Sequence, residues 1–160
     1  MLVPYDLAGH EPDLFERLAV HRQSERHGAL HDARSKWTRS GPGPVALVGN
    51  RWASGVMLAP MYLCSGRSAI TAISYWWNPS MLLLWAPQTQ VRLLLTDAHS
   101  MESWVVDVSH SPEGTLIMPA KTSISANCQV VLQMATGHFF GRLKDPPYIP
   151  THGVTVRYRY

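Results

Sequence analysis

Hydrophobic and polar residues alternate with two different periods along this chain. Near the start, Leu14, Phe15, Leu18 and Ala19 recur at helical spacing, while Glu16, Arg17, Arg22 and Arg26 supply the opposite face. Pro12 suits a first helical turn, Asp13 and Glu16 sit where a helix favours negative charge, and Gly28 ends or interrupts the run. The spacing predicts a helix over 12–27 and a second short turn carrying Leu30, Ala33 and Trp37. Helices this short are unstable alone in water, so each needs a surface to cover. Leu14, Phe15, Leu18 and Trp37 are therefore the candidate subunit-interface residues.

From Val45 onward the period becomes two. Val91, Leu93 and Leu95 alternate with polar or outward positions, as do Trp104, Val106 and Val108, then Val130, Leu132 and Met134. The clearest case closes the chain: Val154, Val156, Tyr158 and Tyr160 face one way, Thr155, Arg157 and Arg159 the other. Further strands are expected at 45–48, 56–63, 69–77, 81–85, 115–118 and 139–143. Roughly eight to ten short strands with Gly, Pro, Asn, Asp or Ser between them is the pattern of an antiparallel sandwich or barrel. No strand is followed by a convincing long helix, which argues against a parallel doubly wound sheet. The fold expected is all-β: an antiparallel β-sandwich, jelly-roll or Ig-like, with a helical N-terminal arm.

Charge sharpens the division. Residues 1–39 hold 12 of the 25 charged side chains and four of the eight histidines. Ser40-Gly41-Pro42-Gly43-Pro44 follows, a sequence that continues neither a helix nor a central strand. The organisation expected is an arm over 1–39, a linker over 40–44 and a β domain over 45–160. With 46% apolar and 16% charged residues, most of the 160-residue chain should fold. A formal charge of +3 affects solubility more than it indicates nucleic acid. The first residues lack the basic start and apolar run of about 7–15 residues that mark a secretory signal. The apolar run 80–87 falls far short of the roughly 20 residues a membrane helix needs. Cytoplasmic synthesis without membrane attachment is expected.

Candidate chemistry is sparse. The chain lacks G-x-S-x-G, and the prolines of 41–44 remove the backbone donors a phosphate loop requires. His27 and His31 are four apart, but Gly28 lies between them and no third ligand is evident, so they read as surface histidines. No metal or cofactor is expected, and no catalytic residue. Cys64 and Cys128 lie in apolar stretches with no CxxC spacing and read as free buried thiols more readily than as a disulfide.

Six tryptophans are many for this length. Strand alternation puts Trp76 and Trp77 on opposite faces, so at least one is a candidate for stacking on a ligand; burial of both is the plainer reading. Tyr158 and Tyr160 around Arg157 and Arg159 read as an ordinary edge or closing strand.

Four features together resemble the small jelly-roll or Ig-like structural proteins of tailed-phage particles, such as cement, decoration and head–tail joining proteins. A charged arm precedes a compact β domain; that domain is apolar and poor in charge; a catalytic motif is missing; and no export signal is present. The resemblance implies a non-enzymatic assembly protein located in the virion, forming a trimer or ring and contacting other structural subunits. The alternative is a carbohydrate-binding β-sandwich with Trp76 or Trp77 as a glycan platform.

Overall fold

The computed structural model describes residues 3–4, 35–64, 68–120, 122, 124–137 and 141–159. The helix expected over 12–27, with Leu14, Phe15 and Leu18, lies outside the described residues. What is described is all-β, with two main antiparallel sheets. Among the described residues eleven strands occur in chain order: β1 (Val3–Pro4), β2 (Lys36–Gly41), β3 (Val48–Gly49), β4 (Ala53–Ser54), β5 (Ala69–Trp77), β6 (Thr89–Asp97), β7 (Ser103–Asp107), β8 (Glu113–Ile117), β9 (Cys128–Thr136), β10 (Gly141–Arg142) and β11 (His152–Arg159). One sheet runs β1-β7-β6-β9-β4, the other β2-β11-β5-β8, and β3 pairs with β10 in a small ribbon.

The two-residue period decides which side chains meet. Val91, Leu93 and Leu95 of β6 stand opposite Met134, Leu132 and Val130 of β9, and Leu93 stands opposite Val106 of β7. Val154 and Val156 of β11 stand opposite Tyr75 and Ile73 of β5, and Leu116 of β8 also faces Ile73. All of these are buried and belong to one core cluster drawn from both sheets. Burying each large aliphatic side chain contributes roughly 1.5–3 kcal/mol. In β5 the inward residues Ile70, Ile73, Tyr75 and Trp77 are spaced three, two and two apart. A register shift opposite Arg157/Tyr158 absorbs the extra residue and keeps Ile70 buried.

The boundary expected at residue 40 is corrected. Lys36–Gly41 forms β2, paired along β11 from Arg157 to His152, so the supposed end of the arm is an edge strand of the domain. Trp37, expected to steady an arm on another subunit, packs against the core of its own chain and donates Nε1–H to the Ala126 carbonyl at 2.9 Å. Nor is the Gly-Pro run a free hinge. Gly43 donates to Pro150, and the carbonyls of Pro42 and Pro44 accept from Val56 and Ile149. Prolines lose a donor but keep an acceptor, and here the acceptors are used. A Cβ on Gly43 would stand 2.3 Å from the Ile149 carbonyl oxygen, which is why glycine is required there.

Other expected strands are shorter or absent. Val48–Gly49 is a two-residue strand where a longer one was expected, Gly141–Arg142 is the described strand within the expected 139–143, and 81–85 runs into a 3-10 helix at Leu83–Gln88. The segment 56–63 makes a single bridge, Leu58 to Val130. No helix among the described residues is long and apolar enough to cross a membrane.

Candidate functional site

Three surfaces carry features that core packing does not explain. The first is the outer face of the four-stranded sheet. Register places Thr38, Thr155, Ser74 and Thr115 in one row across β2, β11, β5 and β8. Thr38 and Thr155 share a hydroxyl hydrogen bond of 2.9 Å, Ser74 and Thr115 one of 3.0 Å, and Arg157 donates to Ser74 at 2.8 Å. In the next row Trp76 stands opposite Gly153. A Cβ at Gly153 would come within 2.4 Å of the Trp76 indole nitrogen, so the ring lies against glycine backbone. Trp76 is 44% exposed, whereas Trp77 is buried and donates Nε1–H to Val108. The two tryptophans thus occupy opposite faces, and Trp77 takes no part in the surface.

The second surface is the outer face of the five-stranded sheet. Ser54, Gln133, Arg92 and Asp107 fall in register across β4, β9, β6 and β7. Arg92 donates Nε–H to Gln133 at 2.7 Å, and Gln133 donates to Ser54 at 3.1 Å. The Trp52 ring covers the Arg92 guanidinium, whose carbon lies 3.6 Å from the ring centroid. This cation–π contact lets an arginine sit almost wholly buried on an outer face. Beside it lies an open cleft of about 340 Å³ lined by Asn50, Trp52, Pro87, Gln88, Thr89 and Gln90, with Ala135 and Gly137. Among the described residues the lining is neutral carboxamide, hydroxyl and indole, with no acid or base to move a proton.

The third surface is the edge segment leading from β4 to Cys64. Its backbone follows β9 through Gly55 to Leu132 and Leu58 to Val130, then ends where the Asn127 carboxamide grips Cys64. Pro60, which has no N–H to donate, interrupts it and leaves it irregular, which blunts an open sheet edge. Leu58 is buried in the core, but the segment's other large side chains point into solvent: Met61 is 75% exposed, Tyr62 83% and Leu63 87%, with Met57 and Val56 also exposed. From Trp52 to Cys64 there is no charged residue. Leu83 and Leu84 form a separate exposed pair, and Leu83 holds a left-handed φ of 53°.

Reactive groups do not converge. Among the described residues no three His, Cys, Asp or Glu side chains are grouped to hold a metal ion. Asp97 is buried, but its oxygens accept from the backbone of His99, Ser100 and Ser125, a turn-building role. His152 is 1% exposed, and neither ring nitrogen completes a hydrogen bond. Burial lowers its pKa to about 4, only partly offset by the Val56 backbone. Nothing in the local sequence pattern marks His152 as buried.

No protein-family model matches this chain, and no curated protein matches it. A solved structure does: FlhE, with a TM-score of 0.58 and 19% identity, covering 78% of this chain and 96% of that one. At this identity the likeness shows the fold alone. That neighbour is FlhE and not a phage structural protein, so the virion assignment is corrected: neither the cement, decoration or connector role nor the virion localisation is kept. The four features behind that assignment describe a plan that many functions share, and a fold does not fix a function. The carbohydrate-binding alternative gains no support from the comparison.

Proposed function

We propose that this chain is a self-pairing domain, a two-layered β-sandwich whose copies meet through the charge-free edge segment Trp52–Cys64. The observation that carries the reading is the exposure of Met61, Tyr62 and Leu63 side by side, at 75%, 83% and 87%. Contiguous exposed apolar side chains of this size mark interaction surfaces, and methionine adapts its shape to a partner. A second copy is the occupant favoured by charge. Two identical chains each carry +3, and a patch without charge lets them meet without placing like charges together. A two-fold contact then needs only self-complementary shape. With Met57 and Val56, the patch exposes on the order of 600 Å² per copy, near the low end of a standard interface.

Sedimentation velocity of the full chain tests this. The unaltered protein should sediment as a dimer, and Met61→Ser/Tyr62→Ser/Leu63→Ser as a monomer. Because these side chains are exposed in the single chain, the thermal midpoint of the monomer should hardly move. A monomer for the unaltered chain, or the same dimer for the triple variant, overturns the reading.

A further inference from the structure

We propose that Cys64 and Cys128 form an intramolecular disulfide under oxidising conditions, pinning the end of the exposed edge segment to the start of β9. They are the chain's two cysteines, and both are free thiols in this structure. What brings them together is Asn127. Its side-chain oxygen accepts from the Cys64 N–H at 2.7 Å, and its side-chain nitrogen donates to the Cys64 carbonyl at 3.0 Å. This two-point grip holds the Cys64 backbone beside residue 127, the immediate neighbour of Cys128. Asn127 is itself buried and steadied by the Ser125 hydroxyl at 3.0 Å from its N–H, so the grip is a fixed part of the fold.

The two thiols differ in a way that orders the chemistry. Cys64 is half-buried and meets an oxidant from solvent; Cys128 is buried at the rim of the core. Burial pushes the Cys128 thiol up to about 12, with Asp97 and then Cys64 adding to the rise. Cys64 is therefore the attacking thiol. With glutathione disulfide as oxidant, the Cys64 thiolate attacks one sulfur and expels one glutathione thiolate. The Cys128 thiolate then attacks the Cys64 sulfur of the mixed disulfide and expels the second. Two thiols become one disulfide, one glutathione disulfide becomes two glutathiones, and the two protons pass to the departing thiolates. The high Cys128 pKa makes the second step slow at neutral pH and faster as pH rises.

The experiment is intact-protein mass analysis after incubation of the folded full chain with glutathione disulfide, followed by trypsin without reductant. The expected product is a monomer lighter by two hydrogen atoms. Its digest should contain peptide 52–67 joined to peptide 122–142, as the arginines and lysine of the sequence define them. Cys128→Ser should instead stop at one glutathione adduct on Cys64. Asn127→Ala should slow closure severalfold while leaving adduct formation unchanged, a separation that a merely structural role for Asn127 does not produce. Two thiols that stay reduced, a glutathione adduct that persists on the unaltered chain, or a disulfide between two chains would each overturn the proposal. The same outcomes are expected of the Met61→Ser/Tyr62→Ser/Leu63→Ser chain, in which pairing through the edge segment is removed, so the two proposals fail separately.

Discussion

Acid should unfold this protein through His152. The imidazole is buried at the entry to β11, opposite Gly41 on one side and Trp77 on the other. Its pKa falls from 6.5 to about 4 on folding, because burial penalises the charged ring. The unfolded chain therefore binds this proton below about pH 6.5, while the folded chain refuses it until about pH 4. The stability held above pH 6.5 is lost progressively as pH falls through that window. A shift of this size corresponds to about 3 kcal/mol, a large share of the 5–15 kcal/mol that holds a typical domain folded. Urea unfolding followed by tryptophan fluorescence at pH 7.5, 5.5 and 4.5 measures it. His152→Leu removes the titration and two buried nitrogens that make no hydrogen bond. It should match or exceed the unaltered chain by about 1 kcal/mol at pH 7.5, since an unsatisfied polar group costs about that much to bury. The gap in favour of the variant should widen toward pH 4.5. Parallel pH profiles for the two proteins would refute the reasoning, because the exposed His99 and His110 are common to both.

Two further outcomes follow from the sheet geometry. Gly153→Ala should lift the Trp76 ring from the β11 backbone and destabilise by about 1–3 kcal/mol, read by urea unfolding and by increased quenching of tryptophan fluorescence by iodide. Lys36→Val/Arg39→Val should expose β2 to pairing with other chains and appear as concentration-dependent aggregates in light scattering, because charged side chains on an edge strand discourage such pairing.

The interior strands were legible in the sequence because alternation and burial carry the same information. Val91, Leu93 and Leu95, and Val130, Leu132 and Met134, are core residues in the register their spacing implies. Trp76 and Trp77 separate across β5 for the same reason. The edges were not legible. Lys36, Arg39 and the glycine after Ser40 looked like the end of an arm, yet an edge strand tolerates charge on residues that no second neighbour covers. The segment 56–63 looked like a strand from its apolar content. Its pairing with β9 is limited to the bridge at Leu58, whose side chain joins the core, while Val56, Met57, Met61, Tyr62 and Leu63 face solvent. Contacts between distant residues left no local trace either. The Arg92 stack under Trp52 and the Asn127 grip on Cys64 join positions 40 and 63 residues apart.

Other distant contacts converge on one junction. The exit of β2 at Gly41–Pro44, the exit of β4 at Gly55–Val56 and the entry to β11 at Pro150–His152 are tied by Gly43 to Pro150, Val56 to Pro42 and Ile149 to Pro44. Backbone approaches backbone so closely there that a Cβ on Gly55 would stand 3.0 Å from Gly43. This explains why a Gly-Pro run that reads as a hinge is instead part of the packed domain: glycine permits the approach, and proline carbonyls supply acceptors that no competing strand claims. The same junction anchors the near end of the edge segment, while Asn127 anchors its far end. The segment can therefore display Met61, Tyr62 and Leu63 to solvent in a fixed arrangement without pairing as a regular strand. An interface needs apolar side chains held in place before the partner arrives, since ordering them on binding costs about 0.5–1.5 kcal/mol each. His152 is buried within the junction, so protonation that loosens it would release the near anchor and with it the order of the segment.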